Sequence, residues 1–172
     1  MISRLFIGAA LCFALIAIIA RAAQVRIITT NSAAPTGIYR MVTAQLAHGE
    51  LVLACLPPEP AQLAFQRGYL GAGTCPGGVE PVAKIIGALS GDTVEIQPGW
   101  TAINGVHIPR SSTVNHDTMG RSLAHVTWGV RTVRGGEVWL FGFNNPRSWD
   151  GRYIGSVPAA NVIGRLIPIF TW

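Results

Sequence analysis

Lys84 is the only lysine in a chain that carries twelve arginines. An arginine-biased composition accounts for the twelve and makes the exception informative. A guanidinium stays protonated at any working pH, whereas a lysine amine loses its charge readily when buried. Lys84 sits in the apolar, β-type run Val82-Ala83-Lys84-Ile85-Ile86. Strand alternation puts it on the face shared by Val82 and Ile86, where burial would lower its pKa and leave a neutral amine able to act as a base. The competing reading is a surface lysine on an edge strand, and the run alone does not separate the two. Other chemistries find less support. His48, His107, His116 and His125 are scattered among polar and turn residues, and none accompanies a Gly-x-Ser-x-Gly elbow, so nothing points to a Ser-His-Asp triad. The eight acidic residues form no pair with a glycosidase-like setting. Neither Cys-x-x-Cys nor His-x-x-x-His spacing occurs, so neither a metal nor any other cofactor is expected. Gly71-Ala72-Gly73 and Gly77-Gly78 do not open a helix after a strand, as a phosphate-binding loop would.

The elements that must position Lys84 read as short strands. Val25–Thr29 is a β-branched run followed by a turn-like stretch, Asn31–Gly37. Leu51–Leu56, Pro81–Leu89, Thr93–Ile96, Gly136–Phe143 and Asn161–Phe170 are further β-type runs, and Asn104-Gly105 is a strong hairpin signal. A Ser-Gly-Asp turn separates the lysine run from Thr93–Ile96, and Ala61–Tyr69 suits one short helix. Frequent turns and the want of a long amphipathic helix after residue 23 predict a mainly β, barrel-like domain.

The first 23 residues stand apart. From Leu5 to Ala20 the chain runs sixteen residues with neither charge nor proline, about 24 Å as a helix. That is slightly short of a ~30 Å hydrocarbon core, but Arg21 can snorkel and Ala22 and Ala23 extend the run. A single transmembrane anchor over 1–23 is favoured. A cleaved signal segment is the alternative, since Ala20-Arg21-Ala22 has the small-x-small form. Residues 24–172 then form one extracytoplasmic domain, large enough for its own core. The net charge of +5 suits an anionic membrane surface, and the arginines form no basic stripe with interleaved aromatics, which argues against nucleic acid. Cys12 lies in the apolar run, leaving Cys55 and Cys75 as the pair in the globular part. In an exported domain an even pair reads as one disulfide, with two unrelated buried thiols as the alternative.

Four stretches together resemble the boxes of bacterial type I signal peptidases, in family order. Thr30-Asn31-Ser32-Ala33-Ala34-Pro35-Thr36-Gly37-Ile38-Tyr39 resembles the nucleophile box, and its Pro-x-Gly-x-Tyr ending is most like the conjugative-transfer branch, the TraF family. Lys84-Ile85-Ile86-Gly87 with Ser90-Gly91-Asp92-Thr93-Val94 resembles the lysine box and its Gly-Asp turn. Ile103-Asn104-Gly105 resembles the Asn-Gly hairpin. Ser148-Trp149-Asp150-Gly151-Arg152-Tyr153-Ile154-Gly155 resembles the late Ser-x-Asp-Ser-Arg box, with Gly151 in place of its second serine. The resemblance implies a mostly β signal-peptidase-like fold and a Ser/Lys serine peptidase. Ser32 would be its nucleophile, Lys84 its base and Thr30 an oxyanion donor, with Ser148, Asp150 and Arg152 in support. Asn31, Ala33, Pro35, Ile85 and Ile86 would wall a shallow apolar pocket that takes small residues just before the cleaved bond.

The resemblance also implies a bacterial inner-membrane enzyme facing the periplasm. Its substrate would be an exported precursor such as a conjugative pilin, which it would hydrolyse or cyclise, and transfer-apparatus components would be its further partners. A housekeeping signal peptidase and a non-catalytic assembly subunit are the alternatives. Type I enzymes in general place the serine three residues before the proline, which is Ser32 here. The transfer branch often places it two before, at Ala33, so the register stays open at this point.

Overall fold

The computed structural model describes residues 6, 14–16 and 24–172. Phe6 and residues 14–16 are helical, but the anchor expected over 1–23 otherwise lies outside the described residues. Among those residues no helix is long and apolar enough to cross a membrane. From Gln24 onward the chain is mainly β. Strands β1 (Val25–Ile28), β2 (Gly37–Val42), β3 (Leu51–Ala54), β4 (Val82–Ala88), β9 (Glu137–Phe141), β10 (Val157–Pro158) and β11 (Val162–Thr171) build one sheet in the order β1-β2-β11-β3-β4-β9-β10. Strands β5 (Thr93–Ile96), β6 (Thr101–Ile103), β7 (Val106–Ile108) and β8 (Gly129–Thr132) build a second, in the order β7-β6-β5-β8. The strand pairings are antiparallel. The sequence signals β7 only through the Asn104-Gly105 turn, and it does not signal β2 or β8, where polar residues interrupt the apolar pattern.

The expected mainly β domain consists, among the described residues, of two sheets, with β1 and β10 as the outer strands of the larger one. The cause lies at the Ser-Gly-Asp turn. Asp92 Oδ2 accepts the Leu89 N–H at 2.6 Å, and its Oδ1 accepts Asn104 Nδ2 at 2.8 Å. Asn104 Oδ1 in turn accepts the Thr93 N–H at 2.9 Å. These bonds turn the chain out of the β4 direction, so β5 pairs with β6 and β8 rather than with β4. Burial works to raise the Asp92 pKa, but the hydrogen bonds from Asn104, Leu89 and His48 outweigh it and pull the carboxyl down to about 2. Asn104 and Gly105 both have positive φ, at 50° and 78°, as the hairpin signal requires.

Ala88, Val94, Ile96, Val133, Trp139 and Phe141 form a core that joins the two sheets. A second cluster of Val52, Ala54, Ile86, Val138, Leu140 and Val157 fills the larger sheet. The short helix α1 spans Pro58–Gln66 rather than the expected Ala61–Tyr69. Proline is accepted in a helix's first turn, so the helix starts earlier, and Gly68 with φ 70° ends it soon after. Cys55 and Cys75 are bridged as a disulfide, closing this segment over a separation of 20 residues. A second short helix, α2, spans Gly151–Ile154.

Candidate active site

The strand β4 alternates buried and half-buried residues along its whole length, and Lys84 falls on the buried face at 7% exposure. Its Nζ donates to Ser148 Oγ at 2.6 Å and lies 3.5 Å from Ser32 Oγ. Desolvation lowers the pKa of the amine. Asp150 works to raise it and Arg152 to lower it further. No carboxylate forms an ion pair with Lys84 among the described residues, so the charged form gains little compensation.

Ser32 is fixed from two sides. Its carbonyl accepts the Asn144 N–H at 3.1 Å, while Tyr39 Oη donates to the Pro35 carbonyl at 2.7 Å and pins the turn. Ser148 is fixed from behind. Arg152 Nη2 donates to the Ser148 carbonyl at 2.9 Å, and the Ser148 N–H donates to the Asn145 carbonyl at 2.9 Å. Ser148 Oγ lies where a side chain on residue 142 would stand: a Cβ there would come within 2.1 Å of it, so Gly142 makes room for the serine that meets the lysine.

Asp150 is fully buried and caps α2 through the Arg152 N–H at 3.2 Å. Its two oxygens also accept Arg152 Nε and Nη2, both at 2.9 Å, and the Gly142 N–H at 2.8 Å. Arg152 donates further to the carbonyls of Ser112 (2.7 Å) and Pro146 (3.1 Å). This pair ties the strand end, the 142–148 turn and the late box into one block. At Gly151 a Cβ would meet the Leu140 carbonyl and the Trp139 ring, both at 3.0 Å, so the serine usual in the late box would need these neighbours to give by a few tenths of an ångström.

Thr30, Ser32, Lys84 and Ser148 open onto a cleft of about 520 Å³. Thr30 is exposed at its rim. The walls expected from the resemblance lie elsewhere. Ala33 is buried, Asn31 and Pro35 are exposed, and of Asn31–Pro35 only Ser32 lines the cleft. The tethers on Ser32 and Pro35 turn the alanines inward, where Ala34 packs with Tyr39 and Leu53. Ile86 is fully buried in the core, and half-buried Ile85 lies on the other face of β4; neither lines the cleft. Ile28, Leu53, Val82 and Ala83 supply the apolar floor instead. The strand runs away from the cleft after Lys84, so Val82 and Ala83, which precede the lysine, line it, and Ile85 and Ile86, which follow, do not. Gly142 carried no chemical signal in the sequence, since its role is the absence of a side chain. Among the described residues no three His, Cys, Asp or Glu side chains converge as a metal site would require.

A profile of the family described as signal peptidase, peptidase S26, matches residues 1–172. The chain is 37% identical over 142 residues to the conjugal transfer protein TraF of Agrobacterium tumefaciens (strain 15955), covering 80% of this chain and 78% of the relative. It is 33% identical over 147 residues to the plasmid transfer protein TraF of Escherichia coli, covering 84% and 82%. It is also similar to a solved signal peptidase I from Enterococcus faecalis V583, at TM-score 0.43 and 23% identity, over 73% of this chain and 100% of that one.

Proposed function

The chain belongs to the signal peptidase family, peptidase S26, its relatives include TraF conjugal transfer proteins, and we propose that it is a serine endopeptidase with a Ser32/Lys84 dyad that processes an exported precursor, the pilin of a conjugative transfer system. Residues 1–23 anchor it in the bacterial inner membrane, and the catalytic domain faces the periplasm. The observation that carries this reading is a buried amine with a lowered pKa, within 3.5 Å of one serine hydroxyl and 2.6 Å of another, at the wall of an open cleft. Ser32 lines the cleft and position 33 does not, which supports Ser32 as the nucleophile.

Neutral Lys84 takes the Ser32 hydroxyl proton as Oγ adds to the scissile carbonyl carbon. The developing oxyanion is met by the Ser32 N–H and the Thr30 hydroxyl. The C–N bond then breaks as the ammonium returns the proton to the leaving amine. Water opens the resulting ester to give a free carboxyl, or the substrate's own amino terminus opens it to give a cyclic product. The long contact between Ser32 and Lys84 is of a kind that shortens once substrate is bound. Ser148, held by Arg152, fixes the amine's direction.

Incubating the full chain and its Ser32→Ala variant with a pilin precursor, followed by mass spectrometry, tests the reading. Wild type is expected to release the cleaved product, and a cyclic product weighs one water less than the hydrolysed one. Ser32→Ala is expected to release neither, and wild-type turnover by that variant would overturn the assignment.

A further inference from the structure

The two members of the dyad are supported differently. Lys84 lies in the middle of β4, which pairs with β3 on one side and β9 on the other. Ser32 lies between β1 and β2, in residues 29–36, which belong to neither strand. Such a stretch holds a reactive hydroxyl in place only if bonds from outside fix it. The Asn144 N–H supplies one, to the Ser32 carbonyl at 3.1 Å. The Tyr39 hydroxyl supplies another, to the Pro35 carbonyl, but Tyr39 belongs to β2 and moves with the turn.

The exit of the turn is fastened to residues far away in sequence. Thr36 Oγ1 donates to the Trp172 carbonyl at 2.8 Å, and the Trp172 N–H donates to the Thr36 carbonyl at 3.0 Å. The two residues are 136 positions apart. Two features serve this reciprocal pair. Pro168 stands opposite Tyr39 and Phe170 opposite Ile38, so β11 carries Ile169 as an extra residue. This bulge shifts the rest of the strand by one position, which sets Thr171 opposite Gly37 and lets Trp172 reach Thr36. Gly37 admits the close approach, since a Cβ there would run into the Phe170 carbonyl oxygen. The side chains do not account for the arrangement. Ile169, Phe170 and Trp172 are 59%, 62% and 64% exposed, so this end of β11 is held by its backbone and adds little to the core.

We propose that Thr36 and the backbone of Trp172 form a positioning clasp, which holds the Ser32 hydroxyl within reach of the Lys84 amine. It rests on the peptidase reading above. Lys84 Nζ lies 3.5 Å from Ser32 Oγ, the outer limit of a hydrogen bond, so a turn that drifts by about 1 Å loses the proton transfer. Neither Thr36 nor Trp172 lines the cleft, so the clasp bears on the chemical step and not on substrate binding. Its loss lowers kcat and leaves KM nearly unchanged.

The test compares full-length Thr36→Val, which keeps the side chain's shape without its hydroxyl, with deletion of Trp172 and with Thr36→Ser. On a pilin precursor, Thr36→Val and the deletion variant are each expected to show kcat about tenfold below wild type, with KM within about twofold. Thr36→Ser keeps the hydroxyl and is expected to recover most of the loss. Combining Thr36→Val with the deletion is expected to cost about as much as either alone, because both break the same pair. Hydrogen exchange followed by mass spectrometry reads the clasp without turnover. Residues 30–36 are expected to exchange faster in Thr36→Val and in the deletion variant, while β3 and β4 exchange as in wild type. Unchanged exchange over 30–36 overturns the clasp, as does a loss that appears in KM or that Thr36→Ser does not recover. Faster exchange throughout β3 and β4 overturns it too, since the pair would then serve the fold as a whole. Precursor cleavage by Ser32→Ala sinks the dyad instead, and the exchange measurement still decides whether Trp172 holds the turn.

Discussion

Arg152 and Lys84 are both buried cations, at 2% and 7% exposure, and both make contact with Ser148. Arg152 meets a full set of acceptors: both Asp150 oxygens and the carbonyls of Ser112, Pro146 and Ser148. Lys84 has two neutral hydroxyls. A guanidinium cannot shed its proton, so its burial demands a carboxylate and carbonyls around it. An amine can, so two hydroxyls and an apolar strand suffice, and burial drives the group toward the neutral form that can take a proton. The same depth in the protein thus yields one fixed charge that holds the framework and one adjustable group that can work on it.

Exchanging the two kinds of cation should give the largest effect. Lys84→Arg keeps the charge but removes the ability to accept a proton, so precursor cleavage should fall roughly a hundredfold to ten-thousandfold, as far as in Lys84→Ala. Cleavage retained above a few per cent would show that the lysine acts only through its charge. Breaking the other member of the comparison should unfold rather than inactivate. Arg152→Met leaves Asp150 buried without its partner and should cost about 3–5 kcal/mol in urea denaturation. A cost below about 1 kcal/mol would mean that water or another donor replaces the guanidinium.

A covalent constraint away from both cations should cost somewhat less. Replacing Cys55 and Cys75 by serine opens a loop with a separation of 20 residues, worth about 3 kcal/mol in the chain-entropy model. Equal denaturation midpoints for the variant and the oxidised wild type would contradict this.

The lysine and its strand could be read from the sequence because two independent signals coincided: a residue type used once, and a run whose alternation survives as β4. Thr93–Ile96 was similarly clear and matches β5 residue for residue. The cysteine pair was legible because it was the only one in the globular part. The cleft walls were not legible. Ile85 and Ile86 follow the lysine in sequence, but the strand's direction carries them away from the cleft, and direction relative to a cleft is a tertiary property. Gly142 escaped notice because only the position of Ser148 gives its missing Cβ a purpose. The division into two sheets has a local source, the Asp92–Asn104 corner, whose bonds form only after residues twelve apart have met.

The smallest effect tests the comparison without any substrate. The folded-state pKa of Lys84 is lowered by desolvation, whereas in the unfolded chain the residue keeps an ordinary lysine value near 10.4. Between those two values the unfolded chain binds more protons than the folded one, so wild-type stability rises with pH across that window. Below the folded value both states are protonated, and the full cost of burying the charge is felt. Lys84→Met removes the titrating group while keeping an unbranched apolar stem, so its stability lacks this rise. The variant's advantage over wild type should therefore be greatest at low pH and shrink as pH climbs toward the ordinary lysine range. The loss of the Ser148 contact shifts the whole difference by a constant and does not alter its slope. Thermal unfolding of both proteins across pH 6–10 would read this as a convergence of melting temperatures, about 2–4 °C for each kcal/mol in a domain of this size. A difference that stays constant over that range would mean that Lys84 keeps its proton when folded, and the contrast with Arg152 would fail.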